Sequence, residues 1–189
     1  AVSGFIWLIL KFLFFFIFNY FGGYIVLILM SPVFAMLSEK TDKITTGKEY
    51  PFNGEQFMRD IVRGILIALR NMSIELAITL GVLLLSFIPV IGILFSLVGS
   101  VFLFFVSAYF YGFSFMDYTF ERKRLNISQS VRFSRRYRGL AIANGGLFAL
   151  FLIIPFCGVI LAPFFSIFSV VGATLAYNEL EKNNETIVS

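Results

Sequence analysis

The chain has 189 residues, of which 59% are hydrophobic and 14% are charged, and its formal net charge is +4. Soluble domains are about half apolar and a quarter charged, so the composition excludes an ordinary soluble protein and predicts a polytopic membrane protein. The apolar runs are continuous and do not alternate, which excludes a β-barrel and predicts an all-α fold. The sequence contains no histidine and a single cysteine, Cys157, which excludes an internal disulfide, a zinc site and histidine-based catalysis. We expect no metal, no cofactor and no nucleic-acid partner.

The first apolar run, residues 5–30, predicts a transmembrane helix that stops at Ser31-Pro32. The next segment, residues 37–55, is polar and punctuated by proline and glycine, which is typical of a loop or a short surface helix. Residues 55–72 then show an amphipathic helical pattern with three arginines on one face. Such a helix can lie in the membrane interface with its arginines toward lipid headgroups, or its arginine face can meet a transported anion.

Residues 76–116 carry no charge and are broken near the middle at Pro89 and Gly92. This run is too long for one crossing, so it predicts two helices joined in a hairpin with the proline and the glycine at its tip. The first arm, residues 76–88, spans about 20 Å, whereas the hydrocarbon core is roughly 30 Å thick. This length favours a half-penetrating hairpin, and a full hairpin with its turn in water is the alternative.

The same pattern recurs in residues 139–178, which break at Pro155 and Gly158. Each of these two residues follows its counterpart in the first run by 66 positions, and the same offset pairs Arg70 with Arg136. These matches indicate a weak internal repeat. Matching Pro/Gly-broken apolar segments are typical of transporter binding sites. Free backbone N–H groups at the helix starts after both glycines would suit an oxyanion.

The polar connection, residues 117–138, holds seven basic and two acidic side chains, and 7 − 2 gives a local charge of +5. Asn126 or Ser128 can cap a short helix in it, and that helix would carry three arginines on one face. Dense arginine beside a membrane is typical of a cytoplasmic loop that contacts lipid phosphates, and equally of a vestibule that binds oxyanions. The candidate residues of an anion path are Arg132, Arg135, Arg136, Arg138, Asp117, Tyr118 and Glu121.

The topology follows from the hairpins, because each returns the chain to the side that it left. Polar segments 38–75 and 117–138 and the tail, residues 179–189, therefore share one side. Lysine and arginine are concentrated there, which predicts the cytoplasm. Ala1 then starts on the opposite side. An even number of crossings with both ends in the cytoplasm would require one more helix upstream of residue 1, and we expect such a helix.

Several short motifs occur in a characteristic order: Ser31-Pro32, the run Leu83-Leu84-Leu85-Ser86-Phe87-Ile88-Pro89, Phe115-Met116-Asp117-Tyr118-Thr119-Phe120-Glu121, Arg138-Gly139-Leu140, Gly145-Gly146 and Gly172-Ala173-Thr174. Together they cover nearly the whole chain and resemble the bacterial CysZ sulfate permeases of the wider EI24 family. The resemblance implies uptake of sulfate across the inner membrane for cysteine synthesis. It also implies half-penetrating helical hairpins and an additional N-terminal membrane helix.

Two function classes stay open at this point. The first is an anion transporter, with sulfate as the foremost substrate. The second is a non-transporting subunit of a larger membrane complex, for which the 26 phenylalanines would supply apolar contact surface. In either case the partners would be membrane lipid and further protein chains, either copies of this chain or other subunits. An enzyme is the poorest reading, because the three aspartates lie in separate polar segments and no serine has a histidine to activate it.

Overall fold

A computed structural model describes residues 2–48, 53–88, 92–154 and 157–188. Within these ranges the chain forms helices and no strand, so the predicted all-α fold is confirmed. The helices of the described ranges are α1 (Val2–Leu29), α2 (Ser31–Thr46), α3 (Gly54–Ser86), α4 (Gly92–Arg122), α5 (Ile127–Arg136), α6 (Arg138–Leu152) and α7 (Cys157–Val188).

Three of these helices contain stretches that are long and apolar enough to cross a membrane: Gly54–Ser86, Phe95–Arg122 and Cys157–Asn183. A fourth crossing results if the end of α1, Phe21–Leu29, and the whole of α2 form one span bent by 63°. The predicted class of a polytopic helical membrane protein is therefore confirmed.

The first predicted transmembrane helix, residues 5–30, corresponds to α1. It ends at Leu29, because Pro32 in the first turn of α2 starts a new helix that lacks one backbone donor. The polar segment that follows is helical as far as Thr46 and ends at Gly47, whose φ of +70° suits glycine. Ser38 and Asp42 of α2 are fully buried, so one side of this helix packs into the protein interior, whereas Met36 and Ile44 are exposed on it.

The predicted boundary between an interfacial helix, residues 55–72, and a short hairpin arm, residues 76–88, is wrong. One continuous helix, α3, covers both segments, and its N-terminus is capped by Asn53. The sequence between 72 and 76 contains no proline or glycine, so a change from charged to apolar residues does not end the helix. At 1.5 Å per residue, its 33 residues extend over about 50 Å, which exceeds the hydrocarbon core. The length argument for half-penetration therefore fails for the first hairpin.

The second hairpin begins with a shorter arm. Helix α6 has 15 residues and extends over about 22 Å, so half-penetration of this hairpin stays a prediction. The predicted tip residues Pro89 and Pro155 lie outside the described residues, whereas Gly92 and Gly158 are buried at the starts of α4 and α7. A Cβ atom on either glycine would collide with a carbonyl oxygen of the preceding helix.

The 66-residue offset is visible in the helix ends. Helices α3 and α6 end at Ser86 and Leu152, and these positions differ by 66. The glycines Gly92 and Gly158 that follow them differ by the same number. The two halves of the repeat are therefore α3–α4 and α5–α7, with α5 and α6 together in the place of α3.

The core is organised around α4, which packs most extensively against α6. Their backbones approach closely at Gly112 and Gly145, where an added Cβ would collide with the carbonyl oxygens of Ala141 and Ala108 respectively. Small residues are typical of such close contacts between membrane helices. This contact holds the start of α6, and with it the end of α5, against the body of the protein.

Candidate functional site

An exposed cluster of arginines lies on α5 and on the first turn of α6. Its members, which we call the arginine face, are Arg132, Arg135, Arg136 and Arg138. A capping box starts α5: the Asn126 side chain accepts from the backbone N–H of Gln129, and the Gln129 side chain accepts from that of Asn126. The predicted cap at Asn126 is confirmed.

The opposite side of α5 anchors it to the core. Ser130 and Ser134 are fully buried there. The ring of Phe133 contacts the rings of Phe120 and Tyr177 with centroid distances of 5.1 and 5.2 Å. Because this side is fixed, the arginine face points away from the protein. Among the described residues, no carboxylate forms an ion pair with any of its four side chains.

Arg70 of α3 is held against neighbouring side chains. Its guanidinium lies 5.9 Å from the ring centroid of Phe113, and its Nη1 donates to Asn71 Oδ1 at 3.2 Å.

Asp117 and Glu121 lie elsewhere, in a buried ion-pair cluster around Arg63. The Arg63 Nε and Nη2 donate to the two carboxylate oxygens of Asp117, both at 3.0 Å, and Nη1 pairs with Glu121. Arg63 also donates to Leu125 O at 2.6 Å and to Ser130 Oγ at 2.9 Å. This one side chain therefore joins α3, α4 and α5. A cluster with more acidic than basic groups does not suit an anion.

Tyr118 is also separated from the arginine face. Its side chain is buried with 5% exposure, and its ring packs edge-on against Phe34 at 5.5 Å. Its hydroxyl lies so close to Gly64 that a Cβ there would clash with it. The structure therefore divides the seven predicted path residues into four exposed arginines, the buried Asp117 and Tyr118, and the half-buried Glu121.

Two further cations of the polar connection have acidic partners on α2 and α7. Arg122 Nη1 lies 3.3 Å from Glu39 Oε2, and Lys123 Nζ lies 2.7 Å from Glu181 Oε2 and 3.8 Å from Asp42 Oδ1. These pairs hold α2 and α7 against the end of α4. They neutralise two of the positive charges that the sequence counted toward a basic loop.

The N–H groups of the two tip glycines are occupied by the preceding turn. The Gly92 N–H donates to Ile88 O at 2.7 Å, and the Gly158 N–H donates to Ile154 O at 2.9 Å. The predicted oxyanion donors are the N–H groups of the residues that follow these glycines, and their role stays a prediction.

Glu75 is the polar residue that sequence reasoning did not select. It lies on the buried face of α3, is 2% exposed, and accepts hydrogen bonds from the hydroxyls of Tyr24 and Ser107. It lines a cavity of about 410 Å³ between α1, α3, α4 and α6. One sequence feature could have identified Glu75: it is a lone acidic residue at the edge of a long apolar run, in a stretch without helix-breaking residues.

No group of acidic and cysteine residues in the described part of the chain could hold a metal through three such ligands.

Comparison with known proteins identifies the family. The family described as "EI24: Sulfate transporter CysZ/Etoposide-induced protein 2.4" matches residues 2–163. The chain belongs to this family. The resemblance inferred from the motifs is thereby confirmed, and the EI24 family in its CysZ branch is a transporter family, which is not an enzyme class.

Two curated relatives illustrate the match to the EI24 family. A protein of Pseudomonas fluorescens strain Pf0-1, named "Sulfate transporter CysZ", is 24% identical over 164 residues, which cover 86% of this chain and 62% of that protein. A protein of the same name from strain SBW25 is 24% identical over 150 residues, which cover 78% of this chain and 56% of that protein. The chain thus spans about three fifths of the length of these relatives.

Proposed function

We propose that this protein transports sulfate, or a similar tetrahedral oxyanion, inward across the bacterial cytoplasmic membrane and so supplies sulfur assimilation. The supporting observation is the family match over residues 2–163, together with two relatives that are named sulfate transporters. At 24% identity, these relatives support the substrate class without deciding which oxyanion this chain carries.

The chemistry of the arginine face fits this class of substrate. Guanidinium groups are planar, stay charged at every physiological pH, and bind tetrahedral oxyanions through two parallel N–H donors. The four exposed arginines have no carboxylate partner in the described part of the chain, whereas Arg63, Arg122 and Lys123 do. We assign the first group to the capture of the anion and the second to the support of the scaffold.

Asp117, Tyr118 and Glu121 therefore take an indirect role in this proposal. Asp117 and Glu121 bind Arg63, and Arg63 binds Ser130 on the inner side of α5. This chain of contacts fixes the orientation of α5 and hence of the arginine face. The sequence motif would then matter because it positions the arginines, not because its own side chains touch the anion.

The orientation that fits this function places the arginine face at the cytoplasmic surface. There the positive charge would lie beside anionic headgroups and would concentrate the anion at the inner mouth. Large apolar side chains of α1, among them Phe5, Trp7 and Phe14, are more than 60% exposed. We expect membrane lipid and a second copy of the chain, or another subunit, to cover this surface.

The test is uptake of radiolabelled sulfate into liposomes that contain the purified full-length protein. We expect uptake that saturates with sulfate and is inhibited by other tetrahedral oxyanions. Protein-free liposomes and liposomes with a heat-inactivated sample provide the background. Absence of uptake, together with co-purification of stoichiometric partner proteins, would overturn the proposal in favour of a non-transporting subunit.

A further inference from the structure

Glu75 is a buried carboxylate that the proposed anion path does not use. It lies 11 residues before the end of α3 at Ser86, which is about 16 Å along the helix and within the stretch long and apolar enough to cross the membrane. Among the described residues, its hydrogen-bond partners are two hydroxyl groups, and no lysine or arginine pairs with it. An ionised side chain at such a position is costly, so Glu75 either binds a proton or is balanced by a positive charge.

Both carboxylate oxygens of Glu75 have a hydroxyl partner. The hydroxyl of Tyr24 on α1 lies at Oε2, and the hydroxyl of Ser107 on α4 lies at Oε1. In the ionised form, both oxygens accept these hydrogen bonds, and each keeps a lone pair for a further ligand. A bound cation would balance that charge, whereas a proton would neutralise the carboxylate without one.

The cavity beside Glu75 offers space and oxygen atoms for a cation. Its volume of about 410 Å³ greatly exceeds the roughly 30 Å³ that one water molecule occupies in the liquid. The hydroxyl-bearing residues Thr79 and Ser100 line it together with Glu75 and Ser107. A carboxylate among hydroxyl oxygens is a hard ligand set, which suits alkali and alkaline-earth ions better than transition metals.

We propose that Glu75, with the hydroxyls of Tyr24 and Ser107 bonded to it and that of Thr79 one helical turn away, forms a binding site for a monovalent metal cation, namely Na⁺. One carboxylate balances one positive charge, and this favours a monovalent over a divalent ion. The other titratable groups that face Glu75 from neighbouring helices are the phenols of Tyr24 and Tyr111, which are neutral at physiological pH. Neither can supply the missing positive charge.

If the protein transports sulfate as proposed, a bound cation would change the electrical work of transport. The cation site itself does not depend on the proposed function. Inward movement of sulfate carries two negative charges against a membrane potential that is negative inside. Each cation that moves with the anion removes one elementary charge from this electrical work. A Na⁺ site in the membrane interior would therefore let a sodium gradient drive sulfate uptake.

The test measures binding directly on the purified full-length protein in detergent, with NaCl as the ligand. N-methylglucamine chloride replaces NaCl at constant ionic strength and pH, and KCl serves as the competing alkali salt. We expect the unfolding midpoint to rise with Na⁺ in a saturable manner, as linkage requires, and ²²Na⁺ to bind with one ion per chain. Glu75→Gln should abolish both effects, and Ser107→Ala should weaken ²²Na⁺ affinity at least threefold.

Glu55→Gln is the matched control, because it removes an exposed acid from the same helix and should leave ²²Na⁺ binding unchanged. If Glu75→Gln does not fold, the ²²Na⁺ affinity of Ser107→Ala alone tests the proposed site. Three outcomes would overturn the proposal: no saturable response to Na⁺, full binding in Glu75→Gln or Ser107→Ala, or stabilisation that follows pH and not Na⁺. Sulfate uptake without Na⁺ binding would refute only the proposed cation site. Na⁺ binding without sulfate uptake would refute only the proposed transport function.

Discussion

Asp117→Asn is the substitution that tests most sharply how the core holds α5. Asp117 accepts two hydrogen bonds from the Arg63 guanidinium, both at 3.0 Å, and its side chain is 2% exposed. Asparagine has nearly the same shape but offers one acceptor and one donor, so one N–H of Arg63 faces an N–H of the amide. The substitution therefore removes a charge and a hydrogen bond and leaves the packing volume intact.

The expected loss of unfolding free energy is about 2 to 3 kcal/mol. A hydrogen bond to a charged group contributes about 1.5 to 3 kcal/mol, and breaking a buried ion pair costs about 3 to 5 kcal/mol. We expect a value in the lower part of these energy ranges, because Glu121 still pairs with Arg63 and offsets part of its charge. Release of Arg63 should also loosen its bonds to Leu125 and Ser130 and so weaken α5 in particular.

The assay is reversible unfolding in mixed micelles titrated with sodium dodecyl sulfate and followed by circular dichroism. Glu55→Gln is the control, since it breaks an exposed i,i+4 pair with Arg59 on the same helix as Arg63. Exposed pairs of this kind contribute little, so the control should show no measurable change. If Asp117→Asn and Glu55→Gln unfold with the same midpoint, the ion-pair cluster does not stabilise the fold as we describe.

Two further substitutions test the contacts that position α5 and α6. Gly112→Ala places a methyl group against the carbonyl oxygen of Ala141 and should destabilise by about 1 to 3 kcal/mol, whereas Gly146→Ala, with an ordinary 3.8 Å contact, should be neutral. Equal midpoints for the two variants in the same titration would contradict the close approach of α4 and α6. Asn126→Ala removes the cap of α5 and should cost about 1 kcal/mol. Amide hydrogen exchange should speed up within α5 and not in α7, and exchange that rises equally in both would refute a local role.

The fold class could be predicted from the sequence because apolar run length and Pro/Gly breaks are local signals. The helix ends that repeat at 66 residues followed the same signals, as Ser86 and Leu152 show. The wrong boundary near residue 74 arose because a change in polarity was taken for a helix end. A helix ends where backbone geometry requires it, and residues 72–76 impose no such requirement.

The candidate site could be predicted only in part, because the residues that contact each other in it are distant in sequence. Arg63 and Asp117 are 54 residues apart, and nothing local in either segment indicates that they pair. Before that contact was known, both could equally belong to an anion path. Glu75 was overlooked for the same reason: its significance comes from Tyr24 and Ser107, which reach it from two other helices.

The most direct measurement for the whole account compares sulfate uptake by charge-neutralised variants in liposomes. The double variant Arg135→Gln/Arg136→Gln removes two charges from the arginine face, and the control Arg124→Gln removes an exposed arginine that lies outside it. We predict a loss of uptake of at least tenfold in the double variant, at unchanged unfolding midpoint, and no loss in the control. Wild-type uptake in the double variant, or an equal loss in both, would contradict a role for the arginine face in binding sulfate.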